Sequence, residues 1–341
     1  TDAAGNISPS SSALSITVDA TTPGAPTSLS TSATITKDKT PTITGKAEAG
    51  STVKLYNGST LLNSSTADNN GAFSITSPAL DNGNYSLTAT ATDAAGNISP
   101  SSSAISITIQ KYVFNSRTEL DTAINSWISN ENSAKEIYGD INNWDVSQIT
   151  DFSNLFRNQT TFNSDISDWD VSKGTRFDYM FHNASSFNQD ISKWDVTNIE
   201  RLGLGAMFYN ASAFNQDISE WDVSNNKDFT FMFRGANSFN QDISKWDVSA
   251  GTDFTGMFQD ARSFNQDIGL WNVSSSDWFW YMFSGASSFN QDISSWIVDE
   301  NDKLTDMFDG ANLMLANQGV TATPDRSYFA DRPTDISSDR T

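Results

Sequence analysis

Residues 239–263 read FNQDISKWDVSAGTDFTGMFQDARS, and near-copies of this unit fill the second half of the chain. Its tryptophan recurs at Trp144, Trp169, Trp194, Trp221, Trp246, Trp271 and Trp296, in steps of 25 residues with one step of 27. A fixed period in this range marks a stack of coils, each burying its apolar side only against its neighbours. Ile191, Trp194 and Val196 show the spacing of each coil, L-x-x-L-x-L with tryptophan in the middle. That pattern predicts a strand with all three side chains inward, paired in parallel with the next coil. An apolar residue follows eight positions after the tryptophan (Phe177, Phe229, Phe254), then a Met-Phe pair such as Met180-Phe181, then the phenylalanine of Phe-Asn. All are expected in the core. The third coil's extra residues lie within Thr197–Met207 and predict a bulged loop.

On the N-terminal side of the coils, Ser116-Arg117-Thr118-Glu119 has the form of a capping box. Leu120, Ile124, Trp127 and Ile128 then share one helical face, so a single amphipathic helix is expected to cover the open end of the first coil. Further out, residues 1–17 (TDAAGNISPSSSALSIT) return at 92–108 as TDAAGNISPSSSAISIT. That separation is the size of one immunoglobulin-like sandwich. The chain is therefore expected to open on the end of one such module and to come from a longer protein. Strands are predicted around 42–44, 53–56, 73–75, 85–87 and 105–107, punctuated by Asn57-Gly58, Asn70-Gly71 and Asn82-Gly83. Beyond the last coil, Asn312 to Phe329 reads as a C-terminal cap using Tyr328 and Phe329, with a mobile tail from Ala330 to Thr341.

With FNQDIS, WDVS and the Met-Phe pair in view, the coils resemble the BspA-like leucine-rich repeats of bacterial surface proteins over roughly 112–330. The segment before them, through TPTITGKAEAGSTVKLY and ATDAAGNIS, resembles the bacterial immunoglobulin-like repeats of adhesin stalks. Together they imply a mainly β chain: an immunoglobulin-like β-sandwich followed by a leucine-rich-repeat solenoid with a parallel β-sheet, a helical N-terminal cap and a C-terminal cap. The implied domains are 1–19 (end of a preceding module and linker), 20–110 (stalk domain), 111–139 (helical cap), 140–311 (solenoid) and 312–341 (cap and tail). The implied setting is extracellular, on a bacterial cell surface, and the implied role is adhesion. The stalk resemblance also points to Asp19, Asp93 and Asn97, at one pole of the sandwich, as calcium ligands, with ordinary turn residues as the competing reading.

The formal charge of −21 argues against nucleic acid as a partner. No apolar run is long enough to span a membrane, so no insertion is expected within this segment. The absence of cysteine removes thiolate nucleophiles and sulfur-ligated metals. The one histidine, His182, cannot build a Ser/His/Asp set, and nearly every acid is a repeated copy, so the chain is not expected to be an enzyme.

Two aspartate columns run through the repeats. Asp140, Asp165, Asp190, Asp217, Asp242, Asp267 and Asp292 precede each expected strand and read as caps of backbone N–H groups. Their neighbouring asparagines, from Asn163 to Asn290, read as a structural ladder. Asp145, Asp170, Asp195, Asp222 and Asp247 lie between tryptophan and valine and must face outward. Stacked about 4.8 Å apart, such carboxylates repel by roughly 0.8 kcal/mol per pair in water and about 3 at an effective dielectric near 20. Serine hydrogen bonds, raised pKa values or bridging Ca2+ are the available remedies, and Ca2+ is the expectation adopted. Because the cation needs six to eight oxygen ligands, it further predicts a Ca2+-bridged homodimer. The competing binding surface is an aromatic flank: Tyr179, Phe231 and Tyr281, two places before the phenylalanine of the Met-Phe pair, with Trp278 and Trp280 nearby. It would hold a host or microbial cell-surface glycan or protein, leaving the aspartates structural.

Overall fold

The structure, a computed structural model, describes all residues except 2, 16, 17, 201, 202, 300, 301 and 332–341. The expectations for the tail from 332, for residues 201 and 202 of the bulged loop and for residues 2, 16 and 17 of the opening segment lie outside the described residues. The chain is mainly β and divides into two compact units, 1–110 and 111–341.

The first unit is a sandwich of two sheets. One holds β1 (Thr27–Ser30), β3 (Thr42–Lys46) and β6 (Ala72–Thr76). The other runs β2 (Ile35–Thr36), β8 (Ile105–Ile109), β7 (Gly83–Thr92), β4 (Thr52–Asn57) and β5 (Thr60–Thr66). Alternation sends Ile43, Val53, Leu55, Phe73, Ile75, Leu87, Ala89 and Ile107 into one core. Strand β5 escapes sequence reading because it is a mostly exposed edge strand with no apolar alternation. The Asn57-Gly58 turn joins it to β4, with Gly58 at φ 59°.

The second unit opens on α1 (Arg117–Ser129) and α2 (Glu131–Tyr138), two helices where the sequence predicts one. Ser116 Oγ accepts from Glu119 N, while the Glu119 carboxylate accepts from Asn115 N and the Tyr112 hydroxyl. Leu120, Ala123, Ile124 and Trp127 are buried, and Trp127 meets Trp144 edge-on at 5.7 Å. Ile128 remains 37 % exposed, so the buried stripe is narrower than expected.

In every coil the tryptophan is at most 4 % exposed and the valine at most 2 %, as the inward pattern requires. The parallel strand expected there is not found. Among the described residues the Ile-x-x-Trp-x-Val segments are turns and irregular chain, apart from a single 3-10 turn at Ile141–Asn143, a bridge between Val113 and Asp145 and the two-residue β9 (Ile297–Val298). The aspartates explain this. Asp190 and Asp195 accept the backbone N–H groups of Ser192 and Thr197, donors a ladder would need. The indole supplies the link between coils instead: Trp194, Trp221 and Trp246 Nε1 donate to the carbonyls of Ile166, Ile191 and Ile218 one coil back.

The backbone ladder lies elsewhere, in the segment around each Met-Phe or Leu-Phe pair. The N–H groups of Phe177, Tyr179, Phe181 and Asn183 donate to Gly203, Gly205, Met207 and Tyr209 carbonyls of the next coil, at 2.7–3.0 Å. Parallel bridges join Asp151 to Arg176, Asp228 to Asp253, Asp253 to Trp278 and Trp278 to Lys303. Between these bonds the chain closes local turns, with Met180 N donating to Phe177 O and His182 N to Tyr179 O. Turns of this kind use positive φ, and two positions per coil provide it: Asn154, Tyr179, Ala206, Phe231, Gly256, Tyr281 and Asp306, at φ 53–60°, and, four residues on, Asn158, Asn183, Asn210, Gly235, Asp260, Gly285 and Gly310, at φ 54–72°.

Inside, the Met-Phe phenylalanines form a column, Phe181 to Phe208 at 5.7 Å and Phe208 to Phe233 at 5.6 Å. The Phe-Asn rings form another, with Phe214 to Phe239 at 6.0 Å. Asn215, Asn240 and Asn265 accept from the backbone N–H of Asn240, Asn265 and Asn290, the expected asparagine ladder.

Both ends of the stack carry substitutes for a missing coil. At the start, the Arg117 guanidinium donates to Asp151 O and Ser153 O, carbonyls that an earlier coil's N–H groups would take. At the finish, Phe308 N donates to Ala322 O and Asp306 N to Thr323 Oγ1. The cap helix α3 (Asn312–Asn317), buried Phe329 and the short strand β10 (Ala330–Asp331), parallel to β9, complete that end.

Candidate functional site

Asp170, Asp195, Asp222 and Asp247 are exposed, Asp145 is half-buried, and one oxygen of each is already engaged. Asp145, Asp170, Asp195, Asp222 and Asp247 each accept the N–H of the residue two positions on, at 3.0–3.1 Å. The Ser172 hydroxyl also donates to Asp170 at 2.6 Å, and the Thr197 hydroxyl donates to Asp195. Hydrogen bonds from Ser172, Ser224 and Ser249 hold Asp170, Asp222 and Asp247 below the usual carboxylate range. Serine donors, one of the three remedies considered, therefore relieve this column, and for these three residues the shift runs opposite to a raised pKa. The strand-preceding column caps N–H groups in the same way, as at Ser192, Ser219 and Ser244.

In the first unit the structure brings Asp93, Asn97 and the backbone of Asp19 together. The Asn97 amide nitrogen donates to Asp93 Oδ2 at 2.8 Å and to Asp19 O at 3.1 Å, and Asn97 N donates to Asp93 Oδ1. The Asp19 carboxylate turns the other way, accepting from Thr21 N. A further acidic cluster was not anticipated. Asp277, Asp299 and Asp302, all half-buried, offer carboxylate oxygens within 4.8 Å of one another.

The aromatic flank is more unusual in its chemistry. Tyr179, Phe231 and Tyr281 occupy the first left-handed position of their coils, at φ 58°, 54° and 57°. For a bulky side chain that region costs on the order of 1–3 kcal/mol, and glycine or asparagine fills it far more cheaply. Other coils make the cheaper choice, Asn154 and Gly256. Tyr179, Tyr281 and Trp278 are each 38 % exposed. Phe231 is half-buried because its ring lies over Gly256 of the next coil, where a Cβ would stand 2.4 Å from it. Trp280 packs edge-on against Trp278 at 4.9 Å.

Sequence reading missed the second half of this surface, the residue that follows each Met-Phe pair. In consecutive coils this is Arg157, His182, Tyr209 and Arg234. Arg157 lies over the Tyr179 ring at 5.2 Å, Tyr179 meets His182 at 5.6 Å, and His182 stacks on Tyr209 at 4.5 Å. Arg234 covers both Tyr209 and Phe231, at 5.1 and 5.3 Å. The result is an unbroken row of rings and cations across four coils. Burial, and then the Arg157 charge, lower the His182 pKa, so its imidazole is neutral at pH 7. Aligning the coils on their Met-Phe pair would have exposed this slot.

A family described as "Mycoplasma protein of unknown function, DUF285" matches residues 128–240 and 204–321, together more than half of the chain. A bacterial Ig-like domain matches residues 21–111. No curated protein matches the chain.

Proposed function

The chain belongs to the DUF285 family and carries a bacterial Ig-like domain, and from that premise we propose that it is a surface-displayed adhesive module. The Ig-like unit serves as stalk and the repeats, read as a leucine-rich-repeat type of solenoid, serve as the binding head outside a bacterial cell. The binding face is the flank of Tyr179, Phe231, Trp278, Trp280 and Tyr281 with the row beside it, and binding occurs without turnover. One observation carries this reading: bulky aromatics occupy left-handed backbone positions that other coils give to glycine or asparagine. Strain kept at an exposed position, with no gain to the core, is a mark of function.

The test replaces Tyr179, Phe231 and Tyr281 together with glycine, the residue coil five already uses. Binding to arrays of glycans and cell-surface proteins should be lost while secondary structure and melting hold. Unchanged binding by the folded variant would refute the proposal.

A second reading assigns Ca2+ to the acidic face, with a Ca2+-bridged homodimer as its consequence. What favours it is a carboxylate in each of five coils, exposed in four and half-buried at Asp145, three of them held ionised, and the convergence of Asp277, Asp299 and Asp302. Light scattering on a sizing column in millimolar calcium and then in EDTA tests it, with Asp195→Ala/Asp222→Ala as the control. A mass that ignores calcium removes the dimer.

A further inference from the structure

Coil six differs from its neighbours on the outer face of the backbone ladder. Parallel bridges set Asp228, Asp253, Trp278 and Lys303 side by side in consecutive coils. Phe229, Phe254 and Phe279, one residue on, are fully buried, so alternation turns this column outward. The column two residues on holds Thr230, Thr255, Trp280 and Thr305. Coil six therefore carries indoles where the coils on both sides carry polar side chains. The pair also stands apart among the tryptophans. Those of the coil interiors and Trp127 are at most 5 % exposed, whereas Trp278 is 38 % exposed and Trp280 half-buried. Their planes stand at 89° with centroids 4.9 Å apart, a contact that engages at most one face of Trp278. Among the described residues Trp278 has no other ring contact and no cation over it. The Trp280 Nε1–H is withdrawn from solvent and meets no acceptor among those residues. A donor left in that state costs stability, and the threonine of the neighbouring coils would avoid the cost. It falls on the one coil that exposes an indole.

Resting on the proposed binding flank, we infer that Trp278 and Trp280 form its sugar subsite, which takes an uncharged pyranose ring of a glycan. The C–H face of the ring lies on the Trp278 indole. In the same column Asp253 stands one coil before and Lys303 one coil after, an acceptor and a donor for the ring hydroxyls. Asp253 Oδ1 already accepts from Thr255 N, which fixes the carboxylate and leaves its second oxygen for the ligand. The mixture selects the occupant. An anionic sugar would face Asp253 on a chain of formal charge −21. A quaternary ammonium would face Lys303 and give neither neighbour a hydrogen bond, and an apolar side chain would desolvate both without a partner. A neutral pyranose offers a flat apolar face with hydroxyls at its rim, and satisfies all three.

The experiment titrates the full chain with cellohexaose, chitohexaose and mannohexaose by calorimetry, with hexagalacturonate and choline chloride as charged comparisons. At least one neutral hexasaccharide should bind, and more tightly than either charged probe. Because the other tryptophans are buried, acrylamide quenching of fluorescence reports chiefly on Trp278 and Trp280, and the bound sugar should reduce it. Trp278→Asp/Trp280→Thr gives coil six the residues that coil five already carries, so folding and melting should hold. Its affinity should fall about tenfold or more, the scale of losing a central aromatic anchor. No binding of any neutral hexasaccharide, tighter binding of hexagalacturonate or choline, binding that leaves quenching unchanged, or undiminished binding by the folded variant would each overturn this inference. None of these would remove the adhesive reading, which fails only if the triple glycine variant still binds its array targets.

Discussion

The interior of the repeat unit and its aromatic flank are made by the same coils under opposite rules. Inside, Trp194, Val196, Met180, Phe181 and Phe187 have counterparts in coil after coil, each packed on a near-identical neighbour. On the flank, the first left-handed position passes through Asn154, Tyr179, Ala206, Phe231, Gly256, Tyr281 and Asp306 without a pattern. Neighbouring coils dictate the first set, because a buried ring must match the ring above and below it. The second set is released from that demand. Its variety marks the surface where this chain is individual.

The largest test of the contrast is in the column. Phe233 is fully buried between Phe208 and Phe258 and lies 4.0 Å from Phe239. Phe233→Ala should cost about 3–5 kcal/mol, read by urea unfolding of the whole chain. A much smaller loss would mean that coils pack independently and that the interior is not the constrained region. Next is the N-terminal seal. Arg117→Met leaves two carbonyls of the first coil without their charged donor, for a loss of about 1.5–3 kcal/mol. Hydrogen exchange should rise first in coil one.

The flank should behave in the opposite sense. Tyr179→Gly relieves a left-handed tyrosine worth roughly 1–2 kcal/mol of backbone strain and loses a half-exposed ring, so stability should move by about 1 kcal/mol or less. A large destabilisation would make the ring structural and weaken the contrast. The smallest effect is expected at Asp228, which burial raises above the usual carboxylate range, opposed by its bonds from Thr230, with the charges of Asp253 and Asp178 adding to the rise. A carboxyl whose folded pKa exceeds its unfolded value costs stability when ionised and regains it as pH falls through the folded pKa. Asp228→Asn, able to keep the bond from Thr230 N, should therefore raise Tm slightly at neutral pH, and the gain should vanish in acid.

Burial was legible in the sequence because period and apolar pattern determine it: the tryptophan, valine and phenylalanine positions are all inside. Hydrogen bonding was not. The L-x-x-L-x-L spacing suggests a parallel strand, but Asp-x-Ser turns such as Asp190 to Ser192 take the donors a strand would share. The ladder moves to a segment whose positive-φ turns are hidden in the sequence, because tyrosine and phenylalanine do not advertise a left-handed backbone. The rings of the candidate surface were found by asking which positions point outward. Arg157 and Arg234 were missed because they occupy a slot whose residue varies along the repeats, and only packing shows them lying on their neighbours' rings.

The way both ends of the stack are closed has a consequence for how such a chain changes length. Arg117 and the Ala322–Thr323 segment each answer whichever coil happens to stand beside them, through backbone groups common to all coils. Unequal crossing-over between near-identical units could therefore add or delete whole coils while both terminators stay in place. The extent of the exterior surface would grow in single-coil increments, letting reach evolve separately from stability.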